Sequence, residues 1–361
     1  MDDLLPAETL ERLERRYRGG FTLAADLDRY DVIAAVAAGV TAAIVDSTIV
    51  RIPKGMTYLG EHIQTGSPLT EWLHSQKDPS QHWLAKAGKA LEKTCKVTFD
   101  RVGDVAEHIE GFGGKTHRLQ TPGHDPLIGL AVGTIDVMRG GLTAISRDGM
   151  PVYLSDLGPG TYNPLEAFVW TVGHILSDFP TAMGVQPPGF TLLQALNVGS
   201  FGEKDRTVGE LARFMYLKGY DSRHFLTMST SVAAAETVIR GYFALRRRLD
   251  GSYDEDVQRQ AEIAGAEKVG EHPRFQALAL TAHAIAAAAN VGKVAVYAGN
   301  PLAINYAQWL RFTQATWQFT QSKLRSPSDV LIGTGLANAR DLDRTIFADL
   351  VADPDFPTLR F

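Results

Sequence analysis

The chain has 361 residues, of which 45% are hydrophobic and 21% charged, with a net charge of −5 at pH 7. That balance excludes collagen-like, disordered and coiled-coil classes and gives no reason to expect a nucleic-acid partner. A lone cysteine, Cys95, excludes an intramolecular disulfide framework and a thiolate zinc cluster.

In chain order, Met1-Asp2-Asp3-Leu4-Leu5 is too acidic for a secretory signal, so the cytoplasm is the expected location. Residues 6–18 place Leu10, Leu13 and Tyr17 at helical spacing, an amphipathic helix ended by Gly19-Gly20 that sets 1–21 apart. Residues 32–45 and 275–292 carry no charge. A spanning helix needs about 20 strongly apolar residues. The first run is shorter, and the second is alanine-rich and interrupted by Gln276, His283 and Asn290. Both are expected as buried helices of a soluble bundle, with contact at a membrane surface as the alternative.

A capping residue followed by proline recurs at Ser67-Pro68, Asp125-Pro126, Asn163-Pro164 and Asn300-Pro301, with Ser326-Pro327 as a fifth case. Each reads as a helix start, because proline at the first helical position loses no hydrogen bond. The strand signal is confined to 143–154, a hairpin around Asp148-Gly149. The run from Arg246 to Asp256 reads as a solvated helix end and loop, and no solenoid repeat is visible. The expected fold is mainly α, a compact multi-helix bundle with at most a small hairpin near 143–154. A core domain is expected over 22–250, with a C-terminal helical region over 251–361 packed on it and a hinge at 250–274.

The residues that can carry chemistry cluster in the middle of the chain. Gly114-Lys115-Thr116 imitates a phosphate loop, but Ile109 stands where its first glycine belongs and no parallel strand precedes it. Metal-competent groups are denser: His117, His124 and Asp125 lie within nine residues. Further on, His174 and Asp178 stand at i and i+4, on one face of an apolar helix. Imidazoles with carboxylates suit zinc, iron or manganese, ions that make water a nucleophile near neutral pH. The structural alternatives are an N-cap for Asp125, a helix-end hydrogen bond for His174 and Asp178, and a solvent-exposed loop for His117.

Elsewhere, Asp46 in the apolar run 40–50 reads as a helix-end cap facing solvent, or else a further ligand. His283 and Asn290 share a helix face, lining one polar pocket or hydrogen-bonding within the core, and Asn300, Asn305 and Gln308 continue that polar theme. Trp309 and Trp317 are expected in the core, and Cys95 shows no sign of nucleophilic activation.

The series His117-Arg118, His124, then His174, Asp178, Thr181, Gly184 and Pro187 resembles the membrane-associated metal-dependent hydrolases described as LexA-regulated. The resemblance covers about residues 113–190. It departs from the family in the gap between Arg118 and His124, in Pro122, and in lacking several clear spans. A weaker resemblance is to the HD phosphohydrolases, through His108, His124-Asp125 and Asp178. Together these imply a hydrolase of phosphate esters, small-molecule or lipid, with zinc or manganese held by His117, His124, Asp125, His174 and Asp178. Arg118 would then neutralise charge developing on the phosphate. The alternative is a non-catalytic helical module that associates with a helical protein partner, a second copy of itself or a membrane surface.

Overall fold

The computed structural model describes residues 27–324 except 55–56, 59–61, 64, 104, 202–203 and 265–268. The helix expected over 6–18 and the pair Ser326-Pro327 lie outside the described residues. The fold is mainly α. Twelve helices are described: α1 Arg29–Thr48, α2 Pro68–Ser75, α3 Trp83–Thr94, α4 His117–Gln120, α5 Gly129–Arg139, α6 Pro164–Asp178, α7 Phe190–Gln194, α8 Val208–Leu217, α9 Ser222–Leu249, α10 Gly251–Ala264, α11 Pro273–Val296 and α12 Tyr306–Leu324. Two antiparallel ladders accompany them, β1 Thr57–Tyr58 with β2 His62–Ile63, and β3 Leu142–Ile145 with β4 Pro151–Leu154. The second is the expected hairpin, in register Leu142 with Leu154 and Ile145 with Pro151. The first was not anticipated.

The chain divides into two units that interleave in sequence. One comprises Ala43–Val232 and Ala288–Gln308; the other runs up to Ala42, through Ala233–Ala287 and from Trp309 onward. The boundaries fall inside α1, α9, α11 and α12, helices whose apolar sequence gives no composition change to mark a seam. The range 250–274 contains α10.

Within the first unit, α6 lies against α5 on one side and α3 on the other. Asn163 starts it, its side chain accepting from the amides of Leu165 and Glu166 with Pro164 at the first turn. Close approach to the α3 side requires Gly173, since a Cβ there would come 2.3 Å from Cys95 Sγ. The helix is inverted in character. Leu165, Phe168, Val169 and Leu176 are exposed, whereas Ala167, Thr171, His174 and Asp178 face a core of Phe99, Val105, Ile109, Phe112 and Val137. A helix that buries its polar groups and exposes its apolar ones needs a reason beyond packing.

A separate polar cluster in the same unit surrounds Asp46. Its carboxylate accepts from Asn290 Nδ2 at 2.9 Å, Asn305 Nδ2 at 2.7 Å and Lys293 Nζ at 3.1 Å. Lys293 also donates to the carbonyls of Asp46 and Val50, and Asn305 Nδ2 to Ser231 Oγ. Asp46 is therefore neither a solvent-facing cap nor a metal ligand. Its carboxylate lies in the interior, where an ammonium and two amides replace water.

In the other unit, Asp31 is fully buried and pairs with Arg246 and Arg274, while Asp28 receives the same two guanidinium groups. This corrects the reading of Arg246 as part of a solvated helix end: the buried Asp31 draws it inward. His283 contacts Glu236 Oε1 at 3.2 Å, with Arg311 on the same oxygen. Gly39 lets α1 approach α11, for a Cβ there would lie 2.7 Å from the Ala282 carbonyl. Trp317 is exposed rather than part of the core.

Helices α1 and α11 are long and apolar enough to cross a membrane, by length and composition, and 39% of the apolar window of each is buried. On α1, Ile33, Val36, Val40 and Ile44 form an exposed stripe at helical spacing.

Candidate metal centre

Four short segments of the first unit converge. A 3₁₀ turn, Thr98–Asp100, brings in Asp100; α4 carries His117 and Arg118; a second 3₁₀ turn, Pro122–His124, carries His124; and the end of α6 carries His174 and Asp178. Ligand atoms of Asp100, His124, His174 and Asp178 all lie within 4.8 Å of one another. His124 Nε2 is 3.3 Å from Asp100 Oδ1 and 3.4 Å from Asp178 Oδ2. His174 Nε2 is 3.6 Å from Asp100 Oδ2 and from Asp178 Oδ2. Phe99, fully buried, presses edgewise on both imidazoles and closes the cluster from beneath.

What distinguishes this cluster is that several of its polar atoms lack hydrogen-bond partners. His124 Nδ1 and Nε2, His174 Nδ1 and Nε2 and Asp178 Oδ2 are buried with none among the described residues. An unsatisfied buried polar atom costs about 1–3 kcal/mol, and three of these five, His124 Nε2, His174 Nε2 and Asp178 Oδ2, meet beside Asp100, which calls for a ligand that engages several at once. A cation fits: each imidazole offers a lone pair and each carboxylate an oxygen, the donor set of zinc or manganese sites.

His117 stands at the margin. Its Nδ1 is 3.2 Å from the Gly113 carbonyl and its Nε2 3.2 Å from Asp100 Oδ1, so each ring nitrogen faces an acceptor. A backbone carbonyl on the far nitrogen is the usual device for fixing a ligating imidazole. Asp100, with its side chain 30% exposed, is the only member of the four through which solvent reaches the cluster.

The protonation pattern follows from burial and crowding. Burial opposes charge on Asp100, but the three imidazoles around it more than offset this and hold its carboxyl well below the ordinary carboxylate range. Burial brings His124 down to about 3, leaving it neutral with a lone pair free to ligate. For His174 burial is outweighed by Asp100 and Asp178, and its imidazole is raised. Burial pushes Asp178 up to about 6 against the pull of Arg118.

Of the expected ligands, His124, His174 and Asp178 meet and His117 borders them. Asp125 does not join. Its Oδ1 accepts from the amides of Leu127 and Gly189 and its Oδ2 from Thr191, so the fully buried carboxylate ties the 187–191 segment to the turn after His124. The grouping of His108 with Asp125 and Asp178 is not formed either, for His108 is exposed on a turn. Arg118 does not face open space; its guanidinium holds Asp178 Oδ1 at 2.8 Å and the Thr181 hydroxyl. Asp100, missed in the sequence, completes the set. It lies 17 residues before His117, and no spacing motif marks it; only a neighbouring buried aromatic, Phe99, hints that the turn points inward. No family model, curated protein or solved structure matched the chain.

Proposed function

We propose that this protein is a metal-dependent hydrolase of phosphate esters, with one zinc or manganese ion held by Asp100, His124, His174 and Asp178. The observation that carries this reading is the convergence of buried, unpartnered imidazole nitrogens and a carboxylate oxygen on one point. When bound, such an ion acts as a Lewis acid and lowers the pKa of water towards neutrality. Arg118 offsets the charge of Asp178, and Asp100 has no arginine or lysine partner among the described residues. A divalent ion therefore leaves the centre net positive, which favours an anionic substrate. His117 Nε2, 3.2 Å from Oδ1 of the partly exposed Asp100, is placed to donate to that carboxylate and fix its orientation. The resemblance to the LexA-regulated-type hydrolases supports the same chemistry.

The test is hydrolysis of a phosphate monoester and a phosphate diester by protein loaded with Zn²⁺ or Mn²⁺. Wild type is expected to turn over at least one ester, and Asp100→Asn to lose at least 100-fold in kcat/KM. Metal-loaded wild type inert towards both esters would count against the reading.

A second reading, association with a membrane surface or partner helix, is favoured by the exposed stripe Ile33, Val36, Val40 and Ile44. Fractionation without detergent tests its membrane form: recovery of the full chain in the soluble fraction removes the membrane surface, and recovery only in membranes supports it over a cytoplasmic location.

A further inference from the structure

The end of α6 carries a set of contacts around Arg118 that reaches beyond its charge. Arg118 spans two groups, Nη2 donating to Asp178 Oδ1 at 2.8 Å and Nη1 to Thr181 Oγ1. The Thr181 hydroxyl in turn donates to the Asp178 carbonyl at 2.7 Å and accepts from the Gly184 amide at 3.3 Å. The three residues close a ring: carboxylate, guanidinium, hydroxyl, and back to the backbone of the carboxylate's own residue. Behind it, Arg223 donates to the carbonyls of Thr181 at 2.8 Å and Ala182 at 3.4 Å. Arg223 and Asp221 are both almost fully buried, joined by Nε at 2.8 Å and by Nη2. His74 Nε2 approaches the same carboxylate at 3.2 Å.

We infer that Arg118 and Thr181 are positioning residues that tie Asp178 Oδ1 and so present Oδ2 alone to the ion, with Arg223 bracing the turn on which Thr181 sits. A free carboxylate can rotate about its last torsion and offer one oxygen or both. One held at a single oxygen by a guanidinium, itself fixed by a hydroxyl anchored to the same helix end, offers the other oxygen in one direction. The outer oxygen is satisfied and the inner one is not. This assigns to Arg118 a different task from charge neutralisation on the substrate, and it rests on the proposed metal site.

The probe is Co²⁺, whose visible absorption reports ligand geometry. Wild type is expected to bind one equivalent. Arg118→Met and Thr181→Val are expected to weaken Co²⁺ binding by about 10–100-fold, as loss of an outer partner to a metal ligand does, and to change the absorption envelope. Thr181→Ser, which keeps the hydroxyl, restores both readouts. Should Arg118→Met fail to fold, the Thr181→Val and Thr181→Ser pair decides. Wild type that takes up no cobalt overturns the metal site itself. Wild type, Arg118→Met and Thr181→Val binding cobalt with one affinity and one spectrum overturn the inference alone.

Discussion

Two buried carboxylates in the same unit, Asp46 and Asp178, show how alike residues acquire different roles. Asp46 is surrounded by Asn290, Lys293 and Asn305, and each carboxylate oxygen has a donor. Asp178 has one oxygen held by Arg118 and the other facing two imidazoles without a hydrogen bond. A closed network does the work of fixing helix ends, and its removal is felt as lost stability. An open one is stable only with something that completes it. Satisfaction of the buried atoms, more than residue type or burial, separates the two.

The largest effect that would sharpen this contrast is on the closed side. Asp46→Ala leaves the Lys293 ammonium buried without its counter-charge, and chemical denaturation is expected to show about 3–5 kcal/mol of lost stability. A loss below about 1 kcal/mol would mean that the cluster relaxes to water and that the contrast is overstated.

On the open side the sign differs. Added Zn²⁺ at about 100 times its Kd is expected to stabilise wild type by about 2.7 kcal/mol, seen as a rise in Tm that disappears in His174→Ala. An equal rise in the variant would place the ion elsewhere.

Asp125 provides the intermediate case, a buried carboxylate beside the cluster with its donors all supplied by backbone amides. Asp125→Asn is expected to cost about 1.5–3 kcal/mol through weakened charge-assisted hydrogen bonds while metal content stays at the wild-type level. Loss of metal in a folded Asp125→Asn protein would break the distinction between the two kinds of carboxylate.

The smallest effect concerns pH. Burial works against the Glu236 carboxylate, but His283 and Arg311 override it and lower it to about 2. A carboxyl lowered on folding contributes stability above its ordinary value of 4.5 that is lost as pH falls towards about 2. Glu236→Gln is therefore expected to flatten the acid limb of a stability–pH curve between those values; an unchanged limb would show that the pair contributes nothing there.

The helical character of the fold was legible because its signals are local. Asn163-Pro164 starts α6 as capping chemistry requires, and Thr143–Leu154 forms the hairpin. The same signal misleads where the polar side chain finds a better partner. Ser67 Oγ bonds to Arg51 rather than capping α2, and Asn300 caps only a 3₁₀ turn. Asp125 serves a segment more than 60 residues away. The i, i+4 spacing of His174 and Asp178 was readable because a helix enforces it. Asp100 was not, since it reaches the cluster through packing of Phe99 beneath the imidazoles, a contact without sequence periodicity. Arg118 was singled out for neutralising charge on a phosphate; its partners Asp178 and Thr181 are set by how α4 meets the end of α6, which no sequence spacing shows.

Elemental analysis of full-length protein, purified without added metal, loaded with Zn²⁺ or Mn²⁺ and dialysed, tests the central claim most directly. Wild type is expected to retain close to one ion per chain, and His124→Ala and His174→Ala to retain almost none while keeping the wild-type circular dichroism. Wild type that retains neither metal, or variants that hold as much as wild type, would contradict it.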